Sequence, residues 1–142
     1  MNFEEIIKLD ENKISSMEAK NHNVLVFAFV GDAVFTLYVR ELLASSSTSK
    51  AGILHTETSK FVKASFQAYL YEKLENEILN EEEKNIGKSA RNSHTHNIAK
   101  NSSIEEYKKA TSFESVLGYL YMTNQNDRLM EILKYCKKEI ER

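Results

Sequence analysis

The sequence predicts a single all-α domain spanning residues 1–142, and three observations predict it. The chain has no proline, four glycines and 28% charged residues, a composition suited to compact helices rather than to a sheet protein or a disordered one. Apolar residues recur at helical spacing in the successive apolar segments, and no alternating strand pattern competes anywhere. Side chains that cap helices stand where several of these segments begin.

The elements follow in order. A short amphipathic piece with Phe3, Ile6 and Ile7 leads to a polar stretch ending in Asn21-His22-Asn23. A long, mostly apolar helix then runs from about Val24 to Leu43, ended by Ser45-Ser46-Ser47-Thr48, which can cap the next one. Ile53, Leu54, Phe61, Ala64, Ala68, Tyr69 and Leu74 give one bent helix or two consecutive ones. Asn80 before Glu81-Glu82-Glu83 marks a capped start, with acids favoured in a first turn. Gly87 to Ser102 reads as a polar, irregular loop. Ser103 with Glu106 forms a capping box opening a helix through about Tyr121. Asn126-Asp127 starts a last amphipathic helix with Leu129, Ile132, Leu133 and Cys136.

Composition excludes several classes. The single cysteine, Cys136, cannot close an intramolecular disulfide and sits in a periodic apolar stretch, as a core residue would. The run Val24 to Val39 contains Asp32 and is too short to span a membrane, and Met1 to Asp10 has no signal-peptide core. A cytoplasmic protein is expected. The net charge of −2 offers no global attraction for nucleic acid, so any such contact must come from local basic clusters.

Two acids stand out. Asp32 lies within Val24-Leu25-Val26-Phe27-Ala28-Phe29-Val30-Gly31-Asp32-Ala33-Val34-Phe35, a helix apolar on every face and therefore expected to be buried. Glu114 repeats the pattern within Phe113-Glu114-Ser115-Val116-Leu117-Gly118-Tyr119-Leu120. Buried carboxylates are unfavourable unless paired or bound to a metal. Gly31 precedes the first acid and Gly118 lies one turn beyond the second, although glycine inside a helix costs about 1 kcal/mol relative to alanine. Such glycines suggest helices that approach closely and bring the carboxylates together. An oxygen-rich pair favours Mg²⁺, with Mn²⁺ as substitute. The plain alternative is that Asp32 accepts hydrogen bonds at a subunit interface while Glu114 pairs with a lysine.

These two segments carry a resemblance. Phe29-Val30-Gly31-Asp32-Ala33-Val34 resembles the signature helix of the ribonuclease III family, and Phe113 to Leu120 resembles its second acidic helix. The match is nearest the Mini-III branch, which has the catalytic domain without a double-stranded-RNA-binding domain. It extends from about Asn23 to Cys136 and includes Leu54-His55, Ser59-Lys60, Gln67-Ala68 and Ala90-Arg91-Asn92. The resemblance implies a ribonuclease III-type helical endonuclease domain that works as a homodimer, with Phe29 inserted into the partner subunit. It implies Asp32 and Glu114 as catalytic Mg²⁺ ligands, double-stranded RNA as substrate, and for this branch the 23S ribosomal RNA precursor. A large-subunit ribosomal protein that shapes the substrate is a plausible further partner. Larger family members carry a Glu four residues before the signature Asp and an Asp three residues before the second Glu. Here those positions are Ala28 and Thr111, leaving fewer acidic ligands.

Lys88, Arg91, Asn92 and Lys100 are the candidate RNA contacts of the loop, extended by Lys60 and Lys63 on the preceding helical region. An ordinary solvated surface is the competing reading for all of them. His94-Thr95-His96 has metal-ligand spacing, but no cysteine or third histidine is near in sequence. Two other functions stay open on the residues alone: a non-catalytic helical dimer that binds RNA or assists ribosome assembly, and a helical Mg²⁺-dependent nucleotide pyrophosphohydrolase. The latter class normally shows paired Glu-x-x-Glu patterns, and none with an apolar frame is found.

Overall fold

A computed structural model describes residues 14–93 and 103–141, and its described residues are helical with no strand. The helices are α1 (Ser16–Ala19), α2 (Val24–Ser46), α3 (Ala51–Val62), α4 (Ala64–Glu77), α5 (Glu81–Arg91), α6 (Ile104–Met122) and α7 (Asn126–Ile140). The amphipathic piece at Phe3, Ile6 and Ile7, the His94-His96 pair and Lys100 all lie outside the described residues.

Helix α6 is the axis of the bundle. From Ala110 to Leu120 every residue except Glu114 is buried, because α2, α4, α5 and α7 all pack against it. Phe35 meets Phe113 edge-on at 4.8 Å between ring centroids, and Phe27 meets Tyr119 edge-on at 5.7 Å. Leu129, Ile132, Leu133 and Cys136 of α7 complete the core. Cys136 is a free, fully buried thiol whose ionisation burial opposes strongly.

Two of the expected caps form, at Asn80 and Ser103, but Ser45-Ser46-Ser47-Thr48 does not cap the next helix: α2 runs through Ser46, and the N-cap of α3 is Lys50, with no side-chain hydrogen bond. Asn23 accepts from the Leu25 N–H at the start of α2, and Asn80–Glu83 and Ser103–Glu106 are full capping boxes. The end of α6 is a Schellman turn. Asn124 takes a positive φ of 59°, a conformation asparagine tolerates, and the Gln125 N–H donates to the Leu120 carbonyl at 2.9 Å. The region after Ala51 is two helices, broken at Lys63, whose extended backbone (φ −70°, ψ 154°) interrupts the ladder. Neither proline nor glycine marks that break, so periodicity alone left it open.

Two further expectations need correction. Gly87 does not open a loop: α5 continues through Arg91, so Lys88 and Arg91 occupy its last turn and Asn92 is its C-cap. The helix persists because Gly87 is a packing position. A Cβ there would fall 2.0 Å from the Tyr71 hydroxyl, and the Ser112 hydroxyl donates to the Gly87 carbonyl at 2.6 Å. The Glu81-Glu82-Glu83 run is also more than a helix start. Glu83 is fully buried and receives a bidentate contact from Arg128 (2.8 and 2.9 Å), which also donates to the Ile78 carbonyl at 2.7 Å. Removing one partner of such a buried pair costs about 3–5 kcal/mol, so this bridge ties α5 to α7.

Candidate active site

The site is built where α2 and α6 touch. A Cβ on Gly31 would lie 1.7 Å from the Glu114 carbonyl oxygen, and one on Gly118 would lie 1.8 Å from the Phe27 carbonyl oxygen. No side chain fits at either position, so the two backbones pack directly on one another. The Ser115 hydroxyl adds a hydrogen bond to the Val24 carbonyl at 3.3 Å. Asp32 follows Gly31 and Glu114 faces it, which brings their carboxyl groups within hydrogen-bonding reach.

The two acids are not equivalent. Glu114 is half-buried, and its carboxyl is pushed up to about 9 by desolvation first, then by the hydrogen bond and charge of Asp32. At neutral pH, Glu114 therefore holds a proton that it donates to Asp32. Asp32 itself is exposed in the single chain, contrary to the expectation of a helix covered on every face. The reason is placement. Helix α2 lies at the side of the bundle, with Phe27, Val34, Phe35 and Val39 turned to the core and Val26, Phe29 and Ala33 outward. The desolvation penalty falls mainly on Glu114.

Beside the pair opens a hollow of about 350 Å³ lined by Leu25, Ala28, Phe29, Asp32, Tyr107, Thr111 and Glu114. Ala28 and Thr111, the two positions that lack acids, both face it. Among the described residues no cluster of three or more His, Cys, Asp or Glu is placed to hold a metal ion. On the other side of Asp32, an apolar groove of about 400 Å³ is lined by Phe29, Val30, Ala33, Val34, Leu37 and Tyr121. Phe29 is 81% exposed, far more than its size warrants in an isolated globule.

Residues 25–125 match the Ribonuclease III domain model. The chain belongs to the ribonuclease III family. It is 40% identical to a Mini-ribonuclease 3 of Enterococcus faecalis over 122 residues, covering 85% of this chain and 92% of that one. It is 39% identical to a Mini-ribonuclease 3 of Streptococcus pneumoniae, covering 84% and 94%. A crystal structure of a Fusobacterium nucleatum protein superposes with a TM-score of 0.76 at 29% identity, covering 86% of this chain and 97% of that one. As a ribonuclease III family member the chain is an endoribonuclease, a phosphodiester hydrolase of double-stranded RNA, and the family is divalent-metal dependent. Among the described residues, no helix is long and apolar enough to cross a membrane.

The remaining predicted RNA contacts are scattered. Lys60 is exposed and paired with Glu57 at 2.9 Å, and Lys63 is exposed between α3 and α4. Lys88 and Asn92 are exposed at the end of α5, with Arg91 partly covered. None of them lines the hollow. Composition and pattern missed Leu25 and Tyr107, which do line it. The signal was present: Leu25, Ala28 and Asp32 are spaced three and four apart, as are Tyr107, Thr111 and Glu114, so each set forms one helix stripe.

Proposed function

We propose that Asp32 and Glu114 hold a Mg²⁺ ion, replaceable by Mn²⁺, and that the protein matures the 23S ribosomal RNA precursor as a homodimer. The observation that carries the metal assignment is the juxtaposition of two carboxyl groups at a glycine-enforced helix crossing, open to solvent on one side. Two hard oxygen donors with room beside them suit an ion that keeps several waters and takes further ligands from substrate phosphate. When bound, it would supply an activated water and stabilise the leaving oxygen. The protein's part is to fix the carboxylates. Glu114 must surrender its proton to act as a ligand, and Asp32 accepts that hydrogen bond until it does. Ala28 and Thr111 line the hollow without adding acidic ligands, leaving room for water and RNA phosphate.

The relatives named Mini-ribonuclease 3 support the substrate assignment. The test is cleavage of a labelled 23S precursor, naked and bound to large-subunit ribosomal proteins, with and without Mg²⁺. Specific cutting that needs Mg²⁺ is expected; failure on both forms, with other duplexes cut, would remove the ribosomal assignment. A requirement for one bound protein would identify the helper.

The dimer rests on the exposed face of α2. Phe29 projects beside a groove of fitting character, and a twofold contact would seat each Phe29 in the partner's groove. Light scattering should return twice the chain mass. Phe29→Ala should raise the dissociation constant by at least about tenfold, as expected for a buried aromatic anchor. A wild-type monomer at micromolar concentration would overturn this arrangement.

Lys60, Lys63, Lys88 and Arg91, with Asn92 and Lys100, remain the proposed RNA-backbone contacts. Neutralising Lys60, Lys63, Lys88 and Arg91 together should weaken binding to all duplexes alike. The salt slope should fall by about 0.9 for each phosphate that the protein no longer neutralises. An unchanged slope returns them to plain solvated positions.

A further inference from the structure

The hollow beside the carboxylates has a mixed lining. Asp32 and Glu114 supply its charge, while Leu25, Ala28, Phe29, Thr111 and Tyr107 are neutral. Its volume of about 350 Å³ is at the low end for a ligand site. The Thr111 hydroxyl already donates to the Tyr107 carbonyl at 2.9 Å, so toward a ligand it can only accept. The Tyr107 hydroxyl makes no hydrogen bond among the described residues, although a phenol can both donate and accept.

Building on the endoribonuclease reading, we infer that Tyr107 is a positioning residue that engages the 2′-hydroxyl of the ribose flanking the scissile phosphate. The phosphate belongs beside Asp32 and Glu114, the residues that would hold a cation. The next group along the strand is a sugar, neutral and carrying one hydroxyl that both donates and accepts. Leu25 and Ala28 offer the apolar surface for its carbons, and Tyr107 and Thr111 offer a donor–acceptor and an acceptor for its oxygen. An acid at position 28 or 111 would fill this space with charge and water instead. The neutral pocket therefore couples RNA recognition to alignment of the bond to be cut.

Tyr107→Phe removes the hydroxyl and keeps the ring. The substrates are one all-RNA duplex and two copies with a single 2′-deoxynucleotide on either side of the cut. For the wild type, kcat/KM should fall about tenfold on one deoxy duplex, the effect of losing one hydrogen bond in the transition state. Tyr107→Phe should be about tenfold slower on all-RNA and no slower again on the deoxy duplex. Tyr107→Met, which also lacks the hydroxyl, gives the same readout should the phenylalanine variant be unstable. A variant that keeps the full deoxy penalty, or cuts all-RNA at the wild-type rate, overturns the inference. A wild type indifferent to both deoxy positions overturns it too, while leaving the endoribonuclease reading intact. A wild type inert on every duplex sinks that reading and this one with it.

Discussion

Asp32→Asn and Glu114→Gln should each abolish cleavage, by at least about a thousandfold, while duplex RNA binding survives and the metal-free protein loses no stability. A neutral amide is a poor ligand for a hard cation, and both substitutions conserve volume. The stability half follows from the raised Glu114 carboxyl. Unfolded, the group ionises near 4.5; folded, it keeps its proton to about 9. Between those values the unfolded chain binds fewer protons than the folded one, so wild-type stability falls as pH rises. The glutamine variant has no such proton to lose. The two should therefore melt alike near pH 4, with the variant gaining steadily through neutral pH, by a few kcal/mol at pH 8. Metal binding must displace the same proton, so Mg²⁺ affinity should rise with pH over the neutral range. Melting in EDTA from pH 4 to 9, beside a cleavage assay in Mg²⁺, decides the matter. If Glu114 were instead an anchor holding helices together, Gln would melt well below wild type and still cut RNA.

Gly31→Ala should be among the most damaging single-methyl substitutions in the chain. Its Cβ would overlap the Glu114 carbonyl oxygen at 1.7 Å and crowd the Gly118 nitrogen at 2.9 Å, and backbone on both sides leaves no flexible end to yield. Relief requires α2 and α6 to move apart along their whole contact, which opens the core around Phe27, Phe35 and Phe113. A loss of at least about 3 kcal/mol is expected, the upper range of overpacking. Denaturant unfolding measures it. Where folded protein remains, cleavage should fall further than binding, because the carboxylates separate with the helices. Gly52→Ala is the control: no atom lies near the added Cβ, and the helix should gain slightly. Equal stability of the Gly31 and Gly52 variants would show that the helix crossing is not as close as described.

The same pair of glycines shows how far local pattern reaches. An all-helical domain, its caps at Asn80 and Ser103, and the meeting of Asp32 with Glu114 were all legible in sequence, because each leaves a short-range mark. Helical period, a capping side chain and an unfavourable glycine in a helix interior depend on residues a few positions apart. The two acidic segments also resemble a known family, and the match over residues 25–125 bears that out.

Other features depend on residues far apart in the chain. The polarity of Gly87 to Asn92 suggested a loop, yet packing on Tyr71 and Ser112 keeps it helical through Arg91. The acid at Glu83 read as a helix start, and its bidentate partner Arg128 stands 45 positions away. Asp32 was expected to be buried; the bundle places α2 at its side, leaving that acid open and shifting the desolvation to Glu114. Periodicity measures how apolar a helix face is, but burial depends on which neighbour arrives to cover it, and that is a property of the assembled fold alone.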